Sequence, residues 1–315
     1  VEKAVEAICK LLKMGDLVVL ESTSPVGTLK KIAKQVSLLR PDLLVPKTND
    51  ERGDIYLAYC PERILPGNSL HELVYNDRII GGINSISSQK AALFYKIFVK
   101  ANLEIATNSE TAEMAKLTEN AFRDVNIAFS NELSMLSDRV GVDVWELVRL
   151  ANMHPRVNIL NPGAGVGGHC IPLDPWFLID QNPSLARLMT VARRVNVSKE
   201  DWIVKHIKKV IYSGVLSKNE KKIVTIYGLT YKENVNDIRE SPSLSIIQKL
   251  ASSDMELNVI DPNISVLPSC LLDLNVTLNK IVSPDVSVIL VKHDQFKQLH
   301  FEGIVIDPVG LTYKK

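Results

Sequence analysis

Between Ser109 and about Ile211 the sequence offers no convincing β-strand, while on either side of that stretch short apolar runs alternate with helical patterns. This layout confines the chain to sheets at its two ends and helices between them. On the N-terminal side Leu17-Val-Val-Leu20, Tyr56-Leu-Ala-Tyr-Cys60, Arg78-Ile-Ile-Gly81 and Leu103-Glu-Ile-Ala106 read as strands. Helices are expected from about Leu29 to Leu39 and from about Gln89 to Lys100. On the C-terminal side Ile223-Val-Thr-Ile-Tyr227, Glu256-Leu-Asn-Val-Ile260, the apolar run 286–291 and Gly303-Ile-Val-Ile306 read as strands, with a helix over Ser243–Ala251. Strands alternating with helices predict parallel, open α/β sheets, whose ligands bind beyond the carboxyl ends of the strands. In the middle, Ser109 with Glu110 and Glu113 predicts a capped helix running to Val140 and ending at Gly141. Two more helices are expected at about 143–152 and 184–212, and the polar run Ser217–Lys222 reads as a linker. The expected organisation is an α/β domain over 1–108, an all-helical domain over 109–216 and a second α/β domain over 217–315.

Composition narrows the function classes. The 315 residues are 46% hydrophobic and 23% charged with a net charge of +1, so there is no basic field for nucleic acid and no acidic tail. No uncharged run approaches the ~18 apolar residues of a membrane span. Cys9, Cys60, Cys170 and Cys270 are scattered without metal-ligand spacing or disulfide density, so no metal is expected and a reducing cytoplasm is favoured. Val1 opens the sequence, and Val5, Ile8, Leu11 and Leu12 already fall at helical spacing, so the chain reads as one lacking its N-terminus.

The run Asn161-Pro-Gly-Ala-Gly-Val-Gly-Gly-His-Cys-Ile-Pro-Leu-Asp-Pro175 carries the sharpest chemical signal. Glycines admit positive φ and close backbone approach to a ligand. A thiol at Cys170 on such a loop is placed for covalent chemistry, and Asp174, four residues on, can handle a proton or a water. A glycine-rich turn beside a structural cysteine is the competing reading. Gly163, Gly165 and Gly168 literally satisfy the dinucleotide fingerprint, but no clean strand precedes them and Ile-Pro-Leu-Asp-Pro follows at once, so that meaning is rejected. Lys116 and Asn120 stand four apart on one predicted helix, with Glu113 and Arg123 near the same stripe, so an ammonium and an amide can converge on one oxygen. A solvated polar face is the bland alternative. Thr23 and Glu62 lie just past strand ends; Glu62 can equally be a loop acid paired with Arg63. His154 and Arg156 fit a substrate patch, an interface or a plain loop. Lys232 and Arg239, after a strand, can hold anions such as phosphates.

Together the segments Ser22-Thr-Ser-Pro-Val-Gly-Thr28, Tyr59-Cys-Pro-Glu-Arg63, Ala112-Glu-Met-Ala-Lys-Leu-Thr-Glu-Asn120, the cysteine loop and Gly228-Leu-Thr-Tyr-Lys232 with Asp237-Ile-Arg-Glu-Ser-Pro242 resemble the nucleotide-sugar 6-dehydrogenase family, which oxidises UDP-glucose, GDP-mannose or UDP-N-acetylmannosamine. Cys-Pro-Glu-Arg followed by Leu65-Pro-Gly67, with Gly-His-Cys-Ile-Pro, is most similar to the UDP-N-acetyl-D-mannosamine branch. The resemblance implies two Rossmann-like domains, the first truncated, joined by a helical dimerisation domain. It implies NAD as cofactor, a UDP-sugar as substrate, a homodimer through the central helices and a place in polysaccharide biosynthesis. By the same resemblance Cys170 is the nucleophile, Lys116 and Asn120 hold the C6 oxygen, and Asp174 and Glu62 serve the proton and water steps. Arg63, Ile64, Arg123, His154, Arg156, Gly167, Tyr231 and Lys232 match substrate contacts, Arg156 from across the dimer; Thr23 and Arg239 match positions near NAD. By the family pattern about ninety residues, with the strand and glycine-rich turn that hold the NAD pyrophosphate, would precede Val1. Asp307-Pro-Val-Gly310 stands where relatives carry a basic substrate contact. Two other readings compete: a β-hydroxyacid or 6-phosphogluconate-type dehydrogenase, which needs no thiol, and a UDP-sugar-binding dimer without catalysis.

Overall fold

In the computed structural model of the chain, Leu17–Leu20 (β1), Tyr56–Tyr59 (β2), Arg78–Gly82 (β3) and Leu103–Ile105 (β4) form one sheet in the order β1-β2-β3-β4. The structure describes residues 1–46, 52–64, 68–213, 216, 221–251 and 255–313; the expected linker at 217–220 and Leu65-Pro-Gly67 lie outside them. The described chain divides into two compact units, Val1–Asn120 with Trp176–Pro183, and Ala121–Pro175 with Ser184–Lys315. Among the described residues no helix is long and apolar enough to cross a membrane.

In the first unit, β1 and β2 run parallel, with Leu17 opposite Tyr56, and β3 and β4 run parallel, with Arg78 opposite Leu103. β2 and β3 are antiparallel, with Ala58 opposite Gly82. The all-parallel expectation is therefore corrected at this one pair. Among the described residues only the short helix α3 (Ser69–Tyr75) lies between them, and none of its side chains is fully buried, so it does not act as the packed crossover that parallel neighbours require. Helices α1 (Glu2–Cys9) and α2 (Thr28–Leu39) cover one core, in which Leu29, Ile32 and Val36 meet Ile55, Leu57 and Tyr59. Helix α4 (Ser85–Tyr95) brings Ala91 and Tyr95 onto Ala58, Cys60 and Ile80 in another.

Helix α5 (Ser109–Val140) starts in the first unit and ends in the second. Its cap differs from the expectation: Thr111 N donates to Asn108 Oδ1 at 2.8 Å, while the Ser109 hydroxyl turns to Glu110. The end falls at Gly141, whose φ of 73° closes the helix without strain. Between Ser109 and Tyr212 the described residues hold no strand, only α5, α6 (Val144–Ala151), α7 (Asp174–Gln181) and α8 (Arg187–Tyr212).

The second unit's sheet joins β5 (Lys222–Tyr227), β6 (Met255–Ile260), β7 (Val276–Leu278), β8 (Val286–Ile289) and β9 (Ile304–Ile306), all parallel, in the order β7-β6-β5-β8-β9. Strand order reverses between β5 and β8, and that switch point is where ligands of such sheets bind. Val224, Ile226, Val259 and Val288 from the strands pack with Ile246, Ile247 and Leu250 of α9 (Pro242–Ala251) and with Ile203 and Ile207 of α8. Each such side chain contributes about 1.5–3 kcal/mol on burial. A polar ladder joins α5 to α8: Arg193 meets Asp124 at 2.6 Å, Asn196 Nδ2 donates to Asp124 Oδ1 at 2.8 Å, and Asn131 Nδ2 donates to Asn196 Oδ1 at 3.0 Å.

Candidate active site

Glu62 follows β2 at the carboxyl end of the strand, and its carboxylate is held from two sides. Oε1 accepts the backbone N–H of Arg63 at 2.6 Å and of Ile64 at 2.7 Å, while Oε2 faces Arg78 at 3.4 Å. The alternative reading of Glu62 as a loop acid paired with the Arg63 side chain is not what forms: the Arg63 guanidinium reaches Glu119 on α5 at 2.6 Å and the carbonyl of Asp77. Arg78 is 1% exposed and sits 5.6 Å above the Tyr95 ring. The sequence reading missed it; the signal was a lone cation opening an apolar strand. Beneath, Tyr95 donates to Glu21, and burial pushes the Cys60 thiol up to about 11, which makes it inert.

Lys116 and Asn120, both half-buried, stand one turn apart on α5 in this same unit. One turn earlier Glu113 is fully buried and fixes the helix in place. Its carboxylate accepts Gly27 N at 2.5 Å and Leu29 N at 2.8 Å, so it fills the N-terminus of α2. Burial raises the Glu113 carboxyl above its usual value, although the two N–H bonds oppose this. Thr23, half-buried, lies between β1 and α2, beyond the carboxyl end of β1.

In the second unit the cysteine loop is built as a turn into α7. Cys170 is exposed, Asp174 is 5% exposed, and Asp174 N donates to the Cys170 carbonyl at 2.8 Å. Upstream, Gly163 N is held by Asn131 Oδ1 of the α5–α8 ladder at 2.9 Å, and Gly168 N by the Arg239 carbonyl at 3.0 Å. The glycines are steric necessities. A Cβ on Gly167 would lie 2.5 Å from the Glu240 carbonyl oxygen, and one on Gly168, at φ 87°, would lie 2.9 Å from the Tyr231 ring. Tyr231, from the segment after β5, is therefore packed directly on the turn that presents Cys170. No strand leads into Gly163–Gly168, as the sequence reading held.

Tyr231 and Lys232 also line a cleft of about 200 Å³ with Pro162–Gly165, Pro242, Leu290–Lys292 and Val309. Its walls come from the segments following β5 and β8, the two strands at the switch point. Lys292, a second cation there, was missed; it stands over the Trp145 ring at 4.8 Å. Arg239 is committed to Asp237 at 2.6 Å and holds that carboxyl below its usual range. Arg123, His154 and Arg156 are exposed, and His154 Nδ1 accepts Arg156 N at 3.3 Å.

Three models of one family match in order: the NAD binding domain over residues 1–99, the central domain over 110–198 and the UDP binding domain over 225–308. The UDP-N-acetyl-D-mannosamine dehydrogenase of Yersinia pestis is 47% identical over 99% of this chain and 76% of its own length. The chain belongs to the UDP-glucose/GDP-mannose dehydrogenase family. As a member it is an NAD-dependent dehydrogenase of nucleotide sugars. The NDP-N-acetyl-D-galactosaminuronic acid dehydrogenase of Ralstonia nicotianae is 46% identical over 100% of this chain and 75% of its own. Among solved structures, UDP-D-ManNAc dehydrogenase from Pyrococcus horikoshii superposes with a TM-score of 0.86 at 34% identity, over 100% of this chain and 73% of that one. The likeness confirms the fold class. The described residues fit part of a dinucleotide site: the loop of Thr23 lies beyond a strand's carboxyl end, whereas the α2 N–H groups that would cradle a pyrophosphate are taken by Glu113.

Proposed function

We propose that the chain oxidises UDP-N-acetyl-D-mannosamine at C6 to UDP-N-acetyl-D-mannosaminuronate, in two two-electron steps through a thioester on Cys170. The observation that carries this reading is the packing of the Cys170 turn on Tyr231, at a cleft over the switch point of the sheet that matches the UDP binding domain. NAD⁺ supplies the hydride acceptor for both steps, with Thr23 in the loop that would face it; Arg239, assigned near the cofactor, is the weaker of the two because Asp237 occupies it.

Lys116 and Asn120 hold the C6 oxygen, and the ammonium stabilises its negative charge as the first hydride leaves. The aldehyde has no second hydride to give until a nucleophile adds. The Cys170 sulfur forms a bond to C6 to give a thiohemiacetal, whose hydride departs to leave the thioester. Water then cleaves the C6–S bond, Glu62 taking its proton with Asp174 assisting, and the carboxylate and the free thiol are released. Tyr231, Lys232 and Gly167 hold the UDP moiety; Arg63, Ile64, Arg123, His154 and Arg156 complete the sugar-nucleotide contacts, Arg156 from a second subunit of a homodimer. The family matches at 1–99, 110–198 and 225–308 support the three-domain division at 108/109 and 216/217. A mechanism that needs a reduced thiol at Cys170 suits a reducing cytoplasm.

The test is NADH formation with a panel of UDP-hexoses and UDP-N-acetylhexosamines. UDP-N-acetylmannosamine is expected to yield two NADH per sugar, and Cys170→Ala to reduce steady turnover by about 10³-fold or more. Preference for a UDP-N-acetylgalactosamine would move the chain to another branch. One NADH per substrate, or full activity in the alanine variant, would overturn the thioester mechanism.

A further inference from the structure

His293, just past β8, and Asp261, just past β6, are 0% and 1% exposed, and neither has a part in the chemistry above. They meet at 3.2 Å, His293 Nε2 to Asp261 Oδ2. The surrounding bonds assign every proton. Nδ1 of the imidazole accepts the backbone N–H of Asn234 at 2.9 Å and faces Asn263 Nδ2 at 3.0 Å, so the neutral ring carries its hydrogen on Nε2. Thr230 Oγ1 donates to the Lys232 carbonyl at 2.8 Å and so accepts from Nε2 at 3.2 Å. Asp261 Oδ2 also takes the N–H groups of Leu229 at 2.6 Å and Thr230 at 3.2 Å, and Oδ1 takes Asn263 N at 2.8 Å.

These bonds converge on one stretch of chain. Residues 229–234 leave β5 without pairing to another strand, and Asn234 is held at φ 57°. The carboxylate fixes the start of the stretch at Leu229 and Thr230, the imidazole fixes its end at Asn234, and Thr230 ties both to the Lys232 carbonyl. Between the anchored ends stand Tyr231, which packs on Gly167 and Gly168, and Lys232, which lines the cleft. Burial pushes the Asp261 carboxyl up, but the bonds from His293 and from the N–H groups of Leu229 and Asn263 outweigh it and keep it below its usual range. The acceptor is thus an anion, which strengthens each of these bonds.

We propose that His293 and Asp261 are positioning residues for substrate: a buried imidazole–carboxylate brace that sets Tyr231 and Lys232 at the cleft and, through Tyr231, the turn that carries Cys170. The inference rests on the cleft being the UDP-sugar site. It is tested on the full chain by UDP titration calorimetry, steady-state kinetics and thermal melting of His293→Ala, His293→Asn and Thr230→Val. His293→Ala is expected to weaken UDP binding and raise KM for the nucleotide sugar by about tenfold or more, with a smaller fall in kcat and KM for NAD within about twofold. His293→Asn, whose amide oxygen replaces Nδ1 as acceptor for Asn234, is expected to recover part of the affinity. A folded His293→Ala that binds UDP within about twofold of the parent would overturn the brace. Should His293→Ala not fold, Thr230→Val decides: it removes the hydroxyl's bonds to the Lys232 carbonyl and to His293 Nε2 and leaves the backbone N–H bond to Asp261 in place, and unchanged UDP affinity there overturns the proposal. A parent chain that binds no UDP overturns the reading of the cleft itself, and the brace with it.

Discussion

At Gly167 the requirement for a missing side chain is absolute, because the atom a Cβ would meet is backbone. The nearest neighbour is the Glu240 carbonyl oxygen at 2.5 Å, with Tyr231 Cβ at 2.7 Å and Pro242 Cδ at 2.8 Å. None of these is the far end of a flexible chain, so Gly167→Ala must move either the turn or the segment before α9. The expected stability cost is about 1–3 kcal/mol, that of overpacking a closed site. The kinetic cost is larger: displacing a reacting thiol by about 1 Å costs roughly 10²-fold. A melt lowered by a few degrees together with a hundredfold drop in NADH production checks this; normal turnover would mean that the turn does not position Cys170. The glycine-rich turn and its cysteine were legible in the sequence because the signal is local. Its contact with Tyr231 was not, since tertiary folding alone brings residues 167 and 231 together. Glu62 and Arg63 show the converse. Adjacency in sequence suggested a pair, yet the strand-end geometry sends Arg63 to Glu119 and leaves Glu62 to the buried Arg78.

Elements were read well where an apolar pattern fills them and poorly where it does not. Strands β5, β6 and β8 and helices α5 and α8 carry long Val/Ile/Leu patterns and were placed to within a few residues. The three-residue β7 and the short helices α3 and α7 passed unseen, and the direction of β3 is set by pairing rather than by its own residues. Pattern also hid Lys199, which looks like one charge among many on α8 but is 1% exposed. Its ammonium donates to Ser134 Oγ at 2.7 Å and lies 4.0 Å from the Trp202 ring centre. Burial pulls its pKa down to about 7, against the attraction of Asp138. The folded value lies below the unfolded one, so between about pH 7 and 10.5 the unfolded chain binds more protons and stability rises with pH. Lys199→Met keeps the apolar stem and removes the titration. Urea melts from pH 6 to 9 are expected to show the parent gaining on the variant, by at most about 1.4 kcal/mol per pH unit, and the variant ahead at pH 6. Parallel pH curves would refute a depressed lysine.

At the scale of the whole molecule the order of motifs carries most of the information, since five short segments in sequence already mark the chain's family. Association is the property that the order of motifs leaves to surface chemistry. Phe122, Phe129 and Leu136 recur every seven residues along α5 and are 69%, 52% and 52% exposed. Seven residues are nearly two helical turns, so the three side chains share one face. Apolar side chains aligned in this way mark an interaction surface rather than scattered exposure. A second copy of the helix offers the matching stripe, in line with the proposed homodimer through the central helices. Phe122→Glu with Phe129→Glu places carboxylates on that face without touching the buried side of α5, where Asp124, Asn131 and Ser134 hold α8. Sedimentation at micromolar concentration is expected to find the parent dimeric and the double variant monomeric with an unchanged far-UV spectrum. Turnover should fall in the monomer as well, because Arg156 is assigned to the neighbouring subunit's substrate. A double variant that sediments as the parent does would exclude this face of α5 from the interface, and a monomeric double variant with full turnover would remove Arg156 from the site.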